Sequence, residues 1–245
     1  MQLDLEQHVA IVTGAAGDIG RATVAALVEE GALVVAQDIR PAVQELACAQ
    51  VACICVDGAD EAGARTTVAK ALEHFGRLDI LVNNAGRTLN RPAVDTSLDD
   101  WNEVLAVNAG GAFLHAREAL RHMLAQRSGA IVNVGSISGL VGMHGLSAYA
   151  ASKGAIHQLT QVLAAEAGPS GVRVNAVAPG VVETGFLGED REASRASLAG
   201  FGKAHLLGRV AQPQEIADVI VWLASRRASF VTGAIVTADG GYTAI

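Results

Sequence analysis

The residues best suited to chemistry in this sequence are a serine, a tyrosine and a lysine in its second half. Tyr149 and Lys153 are four residues apart, so a helix would place the phenol and the ammonium on one face. Ser136 precedes the tyrosine by thirteen residues and follows a short apolar run. A hydroxyl beside a phenol and an ammonium suits proton transfer to or from the oxygen of an alcohol or a carbonyl.

The lysine has a definite task in this chemistry. A free tyrosine has a pKa of about 10 and is protonated at neutral pH. Lowering that pKa by about three units requires roughly 4 kcal/mol, which an ammonium about 4 Å away supplies at an effective dielectric constant of about 20. We therefore expect Lys153 to lower the pKa of Tyr149, which would act as acid or base while Ser136 holds the substrate oxygen. Taken singly, each residue also suits an ordinary structural role.

A second group of residues suits the binding of a dinucleotide. The apolar run 9–13 leads into Gly14, Gly17 and Gly20 and then into a helical pattern. A strand, a glycine-rich turn and a helix present main-chain N–H groups to a pyrophosphate, although any tight turn of this kind favours glycine. Asp38 follows Gly14 by twenty-four residues, where its carboxylate can accept hydrogen bonds from ribose hydroxyls and would repel a 2′-phosphate. The pattern favours NAD over NADP, with a plain helix cap as the alternative role of Asp38.

These residues stand at the ends of short apolar runs that alternate with longer segments of helical period. Such alternation predicts successive βα units around a parallel sheet whose strands are covered on both faces. We predict a single-domain α/β Rossmann fold, a doubly wound parallel sheet of about seven strands flanked by helices. The predicted strands are 8–13, 33–37, 51–56, 79–82, 130–134, 172–177 and 234–236, and the predicted helices are 19–30, 41–49, 60–75, 98–127 (two helices meeting near Asn108), 148–168 and 213–225.

Composition narrows the class of protein. The 245 residues, 51% hydrophobic and 18% charged, suit one domain over 1–245. A formal net charge of −7 with dispersed basic residues argues against a nucleic-acid partner, and no apolar run is long enough for a membrane span. The acidic beginning does not resemble a signal peptide, so we expect a cytoplasmic protein. Cys48, Cys53 and Cys55 are predicted to be reduced core thiols, and the scattered histidines predict no metal site.

From about residue 5 to the C-terminus, the sequence resembles the short-chain dehydrogenase/reductase family. The matching motifs are Thr13-Gly14…Gly20, Asn83-Asn84-Ala85-Gly86, Asn108, Ser136, Tyr149-Ala-Ala-Ser-Lys153 and Pro179-Gly180…Thr184. The resemblance implies hydride transfer with a nicotinamide cofactor, and its catalytic residues would be Asn108, Ser136, Tyr149 and Lys153. The residues it assigns to the cofactor are Gly14, Asp18, Ile19, Gly20, Asp38, Asp57, Asn83, Ala85, Tyr149, Lys153, Pro179, Val182 and Thr184.

The resemblance also implies individual roles within this set. Asp57 would contact the adenine, Asn83 would hold the turn after the fourth strand against the cofactor, and Thr184 would contact the nicotinamide carboxamide. Lys153 would also hold the ribose hydroxyls. Asn108 would lie at a helix break and keep a water on a proton route from Lys153 to solvent.

One position departs from the family pattern, because Asp18 stands where a further glycine is usual. A carboxylate near a pyrophosphate would be repelled by about 1 kcal/mol or less if exposed to solvent. We expect Asp18 to cap the N-terminus of the first helix, while Gly14, Gly17 and Gly20 keep the turn open. A regulatory role, or a lowered affinity for the cofactor, is the alternative.

The leading hypothesis is an NAD(H)-dependent dehydrogenase and reductase of a secondary alcohol and its ketone. The first alternative is a 3-oxoacyl-carrier-protein reductase, of a kind that generally uses NADPH, and the second is an idle dinucleotide sensor. The substrate site is expected to be lined by 88–91, 137–146 and a covering segment, 185–209, with Ser136, Tyr149 and His144 as candidate contacts. Apolar residues there favour an alicyclic, aromatic or acyl ketone, whereas polar ones such as His144 leave a polyol open. The resemblance further implies a homotetramer.

Overall fold

The computed structural model describes residues 3–187 and 190–245 of the chain. Its single sheet has the strands β1 (Val9–Thr13), β2 (Leu33–Asp38), β3 (Val51–Cys55), β4 (Ile80–Asn83), β5 (Gly129–Val134), β6 (Val172–Pro179) and β7 (Ile235–Ala238). The α-helices are α1 (Asp18–Glu29), α2 (Glu61–Phe75), α3 (Leu98–Leu105), α4 (Gly111–Gln126), α5 (Ser147–Ala167), α6 (Arg191–Ala199) and α7 (Pro213–Ala224). The predicted α/β fold with a seven-stranded sheet is thus confirmed.

The strand order decides where a ligand can bind. It is β3-β2-β1-β4-β5-β6-β7, and all neighbouring strands are parallel. The connections change direction between β1 and β4, which pair directly from Ala10–Ile80 to Val12–Val82. In open sheets of this kind, ligands bind in the crevice outside the carboxyl ends of the strands at such a switch point. The predicted dinucleotide and catalytic motifs follow β1, β4, β5 and β6, at this same edge of the sheet.

Helices cover both faces of the sheet because neighbouring residues of the central strands, which point to opposite faces, are both apolar. On one face Val12 belongs to a buried cluster with Leu27 of α1 and Ile220 of α7. On the other face Ile11 packs in a second cluster that contains Met123 of α4 and residues of α2 and α5. Each such side chain contributes about 1.5–3 kcal/mol by its burial. The strand ends that carry the site are therefore held in a rigid frame.

The predicted break near Asn108 is confirmed. Between α3 and α4 lies a π-helical turn, Ala106–Gly110, in which the Gly111 N–H group donates to the Ala106 carbonyl five residues earlier. Glycine and asparagine are weak helix formers, so Asn108-Ala-Gly-Gly111 tolerates this wider turn at low cost. The turn rotates Asn108 toward the interior, where its side chain is completely buried.

Two predictions are wrong at the edge of the sheet formed by β3. The predicted helix 41–49 is only a 3-10 helix, Pro41–Leu46, because the chain then reverses at Cys48, which forms an antiparallel bridge with Val51. The cysteines are free thiols, but two of them are not core residues: Cys48 and Cys55 are exposed, whereas Cys53 is half-buried and packs against the first core cluster. β3 is the last strand on this side, so it lacks the cover that the central strands have.

Two further features concern the described residues only. None of the helices formed by residues 3–187 and 190–245 combines the length and the apolar character needed to cross a membrane. Within the same two stretches, no group of three or more histidine, cysteine or carboxylate side chains is arranged to hold a metal ion.

Candidate active site

The glycine-rich turn after β1 lies directly against the turn after β4. Gly14 has a φ of +63°, and a Cβ atom there would lie 2.7 Å from the Ala85 Cα. The Asn84 side chain donates to the carbonyls of Thr13 and Gly14, both at 3.0 Å. The Thr13 hydroxyl accepts from the N–H groups of Asn84 and Ala85 at 3.1 and 3.0 Å. Both the backbone conformation and the close approach therefore require glycine at position 14.

The side chain that links this turn to the end of β1 belongs to Asn84, whereas the side chain of Asn83 has other partners. Asn83 is the last residue of β4, and its side chain donates inward to the Ala112 carbonyl at 3.2 Å and to Asn133 Oδ1 at 2.8 Å. Consecutive residues of a strand point to opposite sides, so its neighbour Asn84 turns toward β1. That alternation was the signal available in the sequence. A main-chain contact of Asn83 with the cofactor stays a prediction.

Asp38 ends β2 and has only 3% of its surface exposed. Its carboxylate accepts from the N–H groups of Ala16 and Arg40, each at 2.9 Å, and from the Arg40 guanidinium at 3.0 and 3.1 Å. Burial raises the pKa of Asp38, but the hydrogen bonds from Arg40 and Ala16 outweigh burial and lower the pKa overall, so this residue is an anion. Sequence reasoning missed Arg40, although a base two residues beyond the acid was a visible signal.

Asp18 does not cap the first helix, contrary to the prediction. The N-cap residue is Gly17, with an extended φ of −76° and ψ of 168°, and Asp18 is the first helical residue. Only the N-cap position directs a side chain back to the N–H groups of the first turn. The Asp18 carboxylate instead accepts from the Gly185 N–H group at 2.8 Å and pairs with Arg195 at 3.0 Å.

The other residues assigned to the cofactor stand at the carboxyl edge of the sheet or just beyond it. Ile19 and Gly20 are in the first turn of α1, and Asp57 is exposed after β3, where its carboxylate accepts from the Ala59 N–H group at 2.9 Å. Three more of the assigned residues lie in β6 or in the segment after it, and all three are buried: Pro179, Val182 and Thr184. Their contacts with a cofactor, and that of Ala85, stay predictions.

Ser136 and Tyr149 come together at the end of β5. The Ser136 Oγ accepts from the Ser138 N–H group at 3.1 Å and from the Ser138 hydroxyl at 3.0 Å. Tyr149 lies in the first turn of α5, and the Ser136 side chain is close enough to the phenol to lower its pKa. A serine oxygen accepts two hydrogen bonds, so the two from Ser138 leave the Ser136 proton to be donated to an oxygen in front of it.

Lys153 lies one turn beyond Tyr149 and is buried, with its Nζ donating to the Val134 carbonyl at 2.7 Å and 5.5 Å from the centre of the Tyr149 ring. Burial lowers the pKa of Lys153 to about 8. Burial also raises the pKa of Tyr149 to about 12, and the Ser136 hydrogen bond opposes this only in part. In the chain without cofactor the pKa of Tyr149 is thus raised, and its lowering by Lys153 together with the positive charge of oxidised nicotinamide stays a prediction.

Asn108 ties the segment after β4 to α5. Its Oδ1 accepts from the Arg87 N–H group at 2.8 Å, and its Nδ2 donates to the Arg87 carbonyl at 3.0 Å. The same Nδ2 donates to Ser152 Oγ at 2.9 Å, and the Ser152 hydroxyl donates to the Tyr149 carbonyl at 2.6 Å. Ser152, which the sequence analysis did not single out, thus links Asn108 to the first turn of α5, where Tyr149 lies.

The residues at this edge of the sheet have the chemistry that a nicotinamide dinucleotide requires. At one end, the first turn of α1 offers main-chain N–H groups to a pyrophosphate, whereas those of Ala15, Ala16 and Gly17 bond within the chain. At the other end, a Cβ atom on Gly86 would lie 3.4 Å from Asn108 Oδ1 and 3.6 Å from Lys153 Nζ. Gly86 thus forms the floor of the crevice, and a side chain there would fill the space beside the Asn108 amide and the Lys153 ammonium. The residues present fit the cofactor.

The expected substrate side of the crevice carries apolar side chains. Phe186 is half-exposed, and its ring centroid lies 6.1 Å from that of Tyr149. Leu140 and Leu187 are exposed to a similar extent. The predicted covering segment, 185–209, contains α6 and a 3-10 helix, Gly200–Ala204, while its residues 188 and 189 lie outside the described residues. His144 is exposed in the loop before α5, and its contact with substrate stays a prediction.

Fold and site together define an oxidoreductase that binds a nicotinamide dinucleotide, and comparisons with known proteins agree. A family model described as enoyl-(acyl carrier protein) reductase matches residues 14–243. Cis-4-hydroxycyclohexanecarboxylate dehydrogenase of Sinomonas cyclohexanicum is 41% identical, over 98% of either chain. Galactitol 2-dehydrogenase (L-tagatose-forming) of Cereibacter sphaeroides is 42% identical, over 98% of this chain and 96% of its own. The crystal structure of gox2181 has a TM-score of 0.91 at 38% identity, covering 100% of this chain and 98% of that chain. The protein belongs to the short-chain dehydrogenase/reductase family.

Proposed function

We propose that this protein is an NAD(H)-dependent dehydrogenase of secondary alcohols and reductase of the corresponding ketones, with Tyr149 as the acid and base. The proposal rests on one observation: the side chains of Ser136, Tyr149 and Lys153 lie close together beside Gly86, at the floor of the crevice. When bound, the nicotinamide ring supplies the acceptor or donor of the hydride. The protein must then bind the substrate oxygen and move one proton.

Ser136 and Tyr149 divide these two tasks. The Ser136 hydroxyl, with its oxygen held by Ser138, donates to the substrate oxygen and stabilises the negative charge that develops there. With a pKa of about 12, Tyr149 is protonated at neutral pH and is ready to donate its proton to that oxygen during ketone reduction. In alcohol oxidation the phenol must first lose its proton, so the positive charges of Lys153 and of oxidised nicotinamide are needed to stabilise the phenolate.

Lys153 and Asn108 support this proton transfer. With a pKa of about 8, Lys153 can lose and regain a proton near neutral pH, which suits a relay between the phenol and solvent. Asn108 uses its amide to hold Arg87 and Ser152, and so positions the floor of the crevice beside Lys153. A water held at the Asn108 turn would complete the relay that the family resemblance implies.

The choice of NAD rests on Asp38. Because its pKa is lowered, Asp38 is charged at the position where ribose hydroxyls are expected, and a carboxylate repels a 2′-phosphate. Arg40 offsets part of that charge, and it would have to leave the Asp38 oxygens for the ribose to reach them. Steady-state kinetics with NADH and NADPH test the choice, and a clear preference for NADPH would contradict it.

The substrate is proposed to be a small or medium-sized alicyclic, aromatic or acyl ketone. Support comes from the half-exposed apolar side chains of Phe186, Leu140 and Leu187 and from a relative named for a hydroxycyclohexanecarboxylate. A polyol is the second candidate, favoured by exposed His144 and by the relative named for galactitol. A panel of cyclic alcohols and sugar alcohols, followed by NADH absorbance, decides between them, and turnover of sugar alcohols alone would overturn the first choice.

A 3-oxoacyl-carrier-protein reductase remains the alternative within the same family. The matching family model, which is described as an enoyl-(acyl carrier protein) reductase, favours an acyl-carrier substrate. Such an enzyme would need a basic surface for its acidic carrier, whereas this chain has a formal net charge of −7. An idle sensor is disfavoured by the complete set of Asn108, Ser136, Tyr149 and Lys153. Assays with an acetoacetyl thioester and with cyclohexanone distinguish the two enzymes.

We also propose that the protein is cytoplasmic and that it forms a homotetramer. The support for the homotetramer is a set of exposed apolar side chains. The exposed face of α4 and α5 carries apolar side chains: Phe113, Leu124 and Val162. Exposed apolar residues on adjacent long helices suit an interface between identical chains. Light scattering would show a mass near four times 25.1 kDa, and a monomer would contradict the proposal.

A further inference from the structure

Asp18 connects two parts of the chain that are distant in sequence. It stands in the glycine-rich turn, yet its two carboxylate oxygens contact the predicted covering segment. One accepts from the Gly185 N–H group at 2.8 Å, and the other pairs with Arg195 of α6 at 3.0 Å. A cap of the first helix would make neither contact. The carboxylate therefore joins the cofactor side of the crevice to the substrate side.

The contact with Gly185 bears on its neighbour Phe186. Beyond Phe186, the Leu187 N–H group donates to Ser194 Oγ at 3.0 Å, and the Ser194 hydroxyl donates to the Thr184 carbonyl at 2.9 Å. Phe186 is thus held between two anchored residues, Gly185 and Leu187. Its ring faces that of Tyr149 at 6.1 Å with an interplanar angle of 59°. The first anchor depends on Asp18 and the second on Ser194.

The contacts of Asp18 with Gly185 and Arg195 differ in strength. The Asp18 side chain is 11% exposed, whereas that of Arg195 is 46% exposed. An ion pair that is half open to water is screened and contributes little, while a hydrogen bond from a main-chain N–H group to a mostly buried carboxylate contributes more. The bond to Gly185 is therefore the principal anchor, and Arg195 helps to hold the carboxylate in place.

We propose that Asp18 is a positioning residue for the substrate: by holding Gly185 it sets the Phe186 ring as the apolar wall that faces Tyr149. The proposal depends on the function proposed above only in that Tyr149 marks the place where the substrate binds. It explains why a carboxylate at this position need not serve the cofactor. Replacing Asp18 would make the position of the Phe186 ring less fixed, while the glycines of the cofactor turn would be unchanged.

The first test measures hydrogen exchange of the peptide 184–187 in the full-length protein without added cofactor. Asp18→Ala removes the acceptor of the Gly185 N–H group, and exchange there should quicken at least about tenfold, as for loss of roughly 1.4 kcal/mol. Asp18→Asn retains an acceptor oxygen and should quicken it less. Arg209→Gln, which breaks the Arg209–Glu215 pair within the same segment, is the matched control and should leave 184–187 unchanged.

The second test separates this inference from the proposed function. With the best alcohol of the panel, Asp18→Ala should raise the KM for the alcohol about five- to tenfold, with kcat within about twofold. Phe186→Ala should give a similar rise, and the double variant should not add to it. The dissociation constant of NAD, measured by fluorescence titration, should stay equal or decrease, because a negative charge is removed.

Unchanged exchange of 184–187 in Asp18→Ala would overturn the inference, whatever the kinetics show. Additive effects of Asp18→Ala and Phe186→Ala on KM would also overturn it. A failure of wild-type protein to bind NAD would instead overturn the proposed function, since the exchange experiment needs neither cofactor nor substrate.

Discussion

The Nζ of Lys153 donates a hydrogen bond to the main-chain carbonyl of Val134 at 2.7 Å. Val134 ends β5, two residues before Ser136, so the bond fixes α5 against the strand end that carries the serine. It also directs the ammonium to a neutral carbonyl. Burial then dominates the pKa of Tyr149 and raises it to about 12. The chain by itself thus holds a proton on the phenol.

Replacing Tyr149 by phenylalanine should remove proton transfer and leave the packing intact. We expect kcat to fall by about 10²–10⁴-fold in both directions, the usual share of general acid–base catalysis. The affinity for NADH, measured by fluorescence titration, should change little. Tyr242→Phe alters the other tyrosine of the chain, which packs against His205, and is the control for loss of a hydroxyl. Wild-type turnover in Tyr149→Phe would refute the assignment.

The raised pKa of Tyr149 can be measured directly. The chain has 2 tyrosines, so in Tyr242→Phe the ultraviolet absorbance of tyrosinate reports Tyr149 alone. Without cofactor we expect a pKa of about 12, because burial disfavours the phenolate. Saturating NAD⁺ should lower it, because a positive charge favours the anion, and alcohol oxidation should accordingly speed up with rising pH. Circular dichroism at each pH checks that the protein is folded; a pKa of about 10 or below without cofactor would contradict the burial effect.

Asp38 and Arg40 should control the choice of cofactor as a pair. Asp38→Asn removes the charge that repels a 2′-phosphate and releases the Arg40 guanidinium to bind one. We expect the ratio of kcat/KM for NADH over NADPH to fall at least about tenfold, which corresponds to roughly 1.4 kcal/mol. Arg40→Gln alone should preserve the preference for NADH, and the double variant should lose most of the gain with NADPH. An unchanged ratio in Asp38→Asn would show that another residue selects the cofactor.

Gly139 closes the 3-10 turn that follows Ser136 and leaves no room for a side chain. A Cβ atom there would lie 2.7 Å from His157 Cε1 and 2.8 Å from the Lys153 carbonyl carbon. Gly139→Ala should therefore lower the free energy of unfolding by about 1–3 kcal/mol and reduce kcat by moving Ser136 away from Tyr149. Denaturant unfolding and turnover measure the two effects.

The control for this substitution is Gly142→Ala in the same loop, where a Cβ atom would meet nothing within 4 Å. Its free energy of unfolding should stay within about 0.5 kcal/mol of the wild-type value. Equal stability of the two alanine variants would mean that the Gly139 turn adjusts without strain.

Much of the fold and of the candidate site follows from local patterns in the sequence. Tyr149 and Lys153 share a face because the helix period places residues four apart together. The glycines after β1 and the serine after β5 lie along the same edge of the sheet because parallel strands carry their carboxyl ends to one edge. The weak helix formers around Asn108 indicate the irregular turn. In each case the deciding interaction lies within one element or follows from its period.

The tertiary structure decided what depends on neighbours far along the chain. Asp18 looks like a cap in sequence, but its partners are Gly185 and Arg195, more than 160 residues away. Burial raises the pKa of Tyr149 in the chain without cofactor, because solvent exclusion depends on the packing of the whole crevice. Cys48 and Cys55 are exposed because they lie at the edge of the sheet that β3 forms. Sequence by itself determined the types and spacing of the candidate residues, and packing determined their charges and contacts, because burial and long-range pairing exist only in the folded chain.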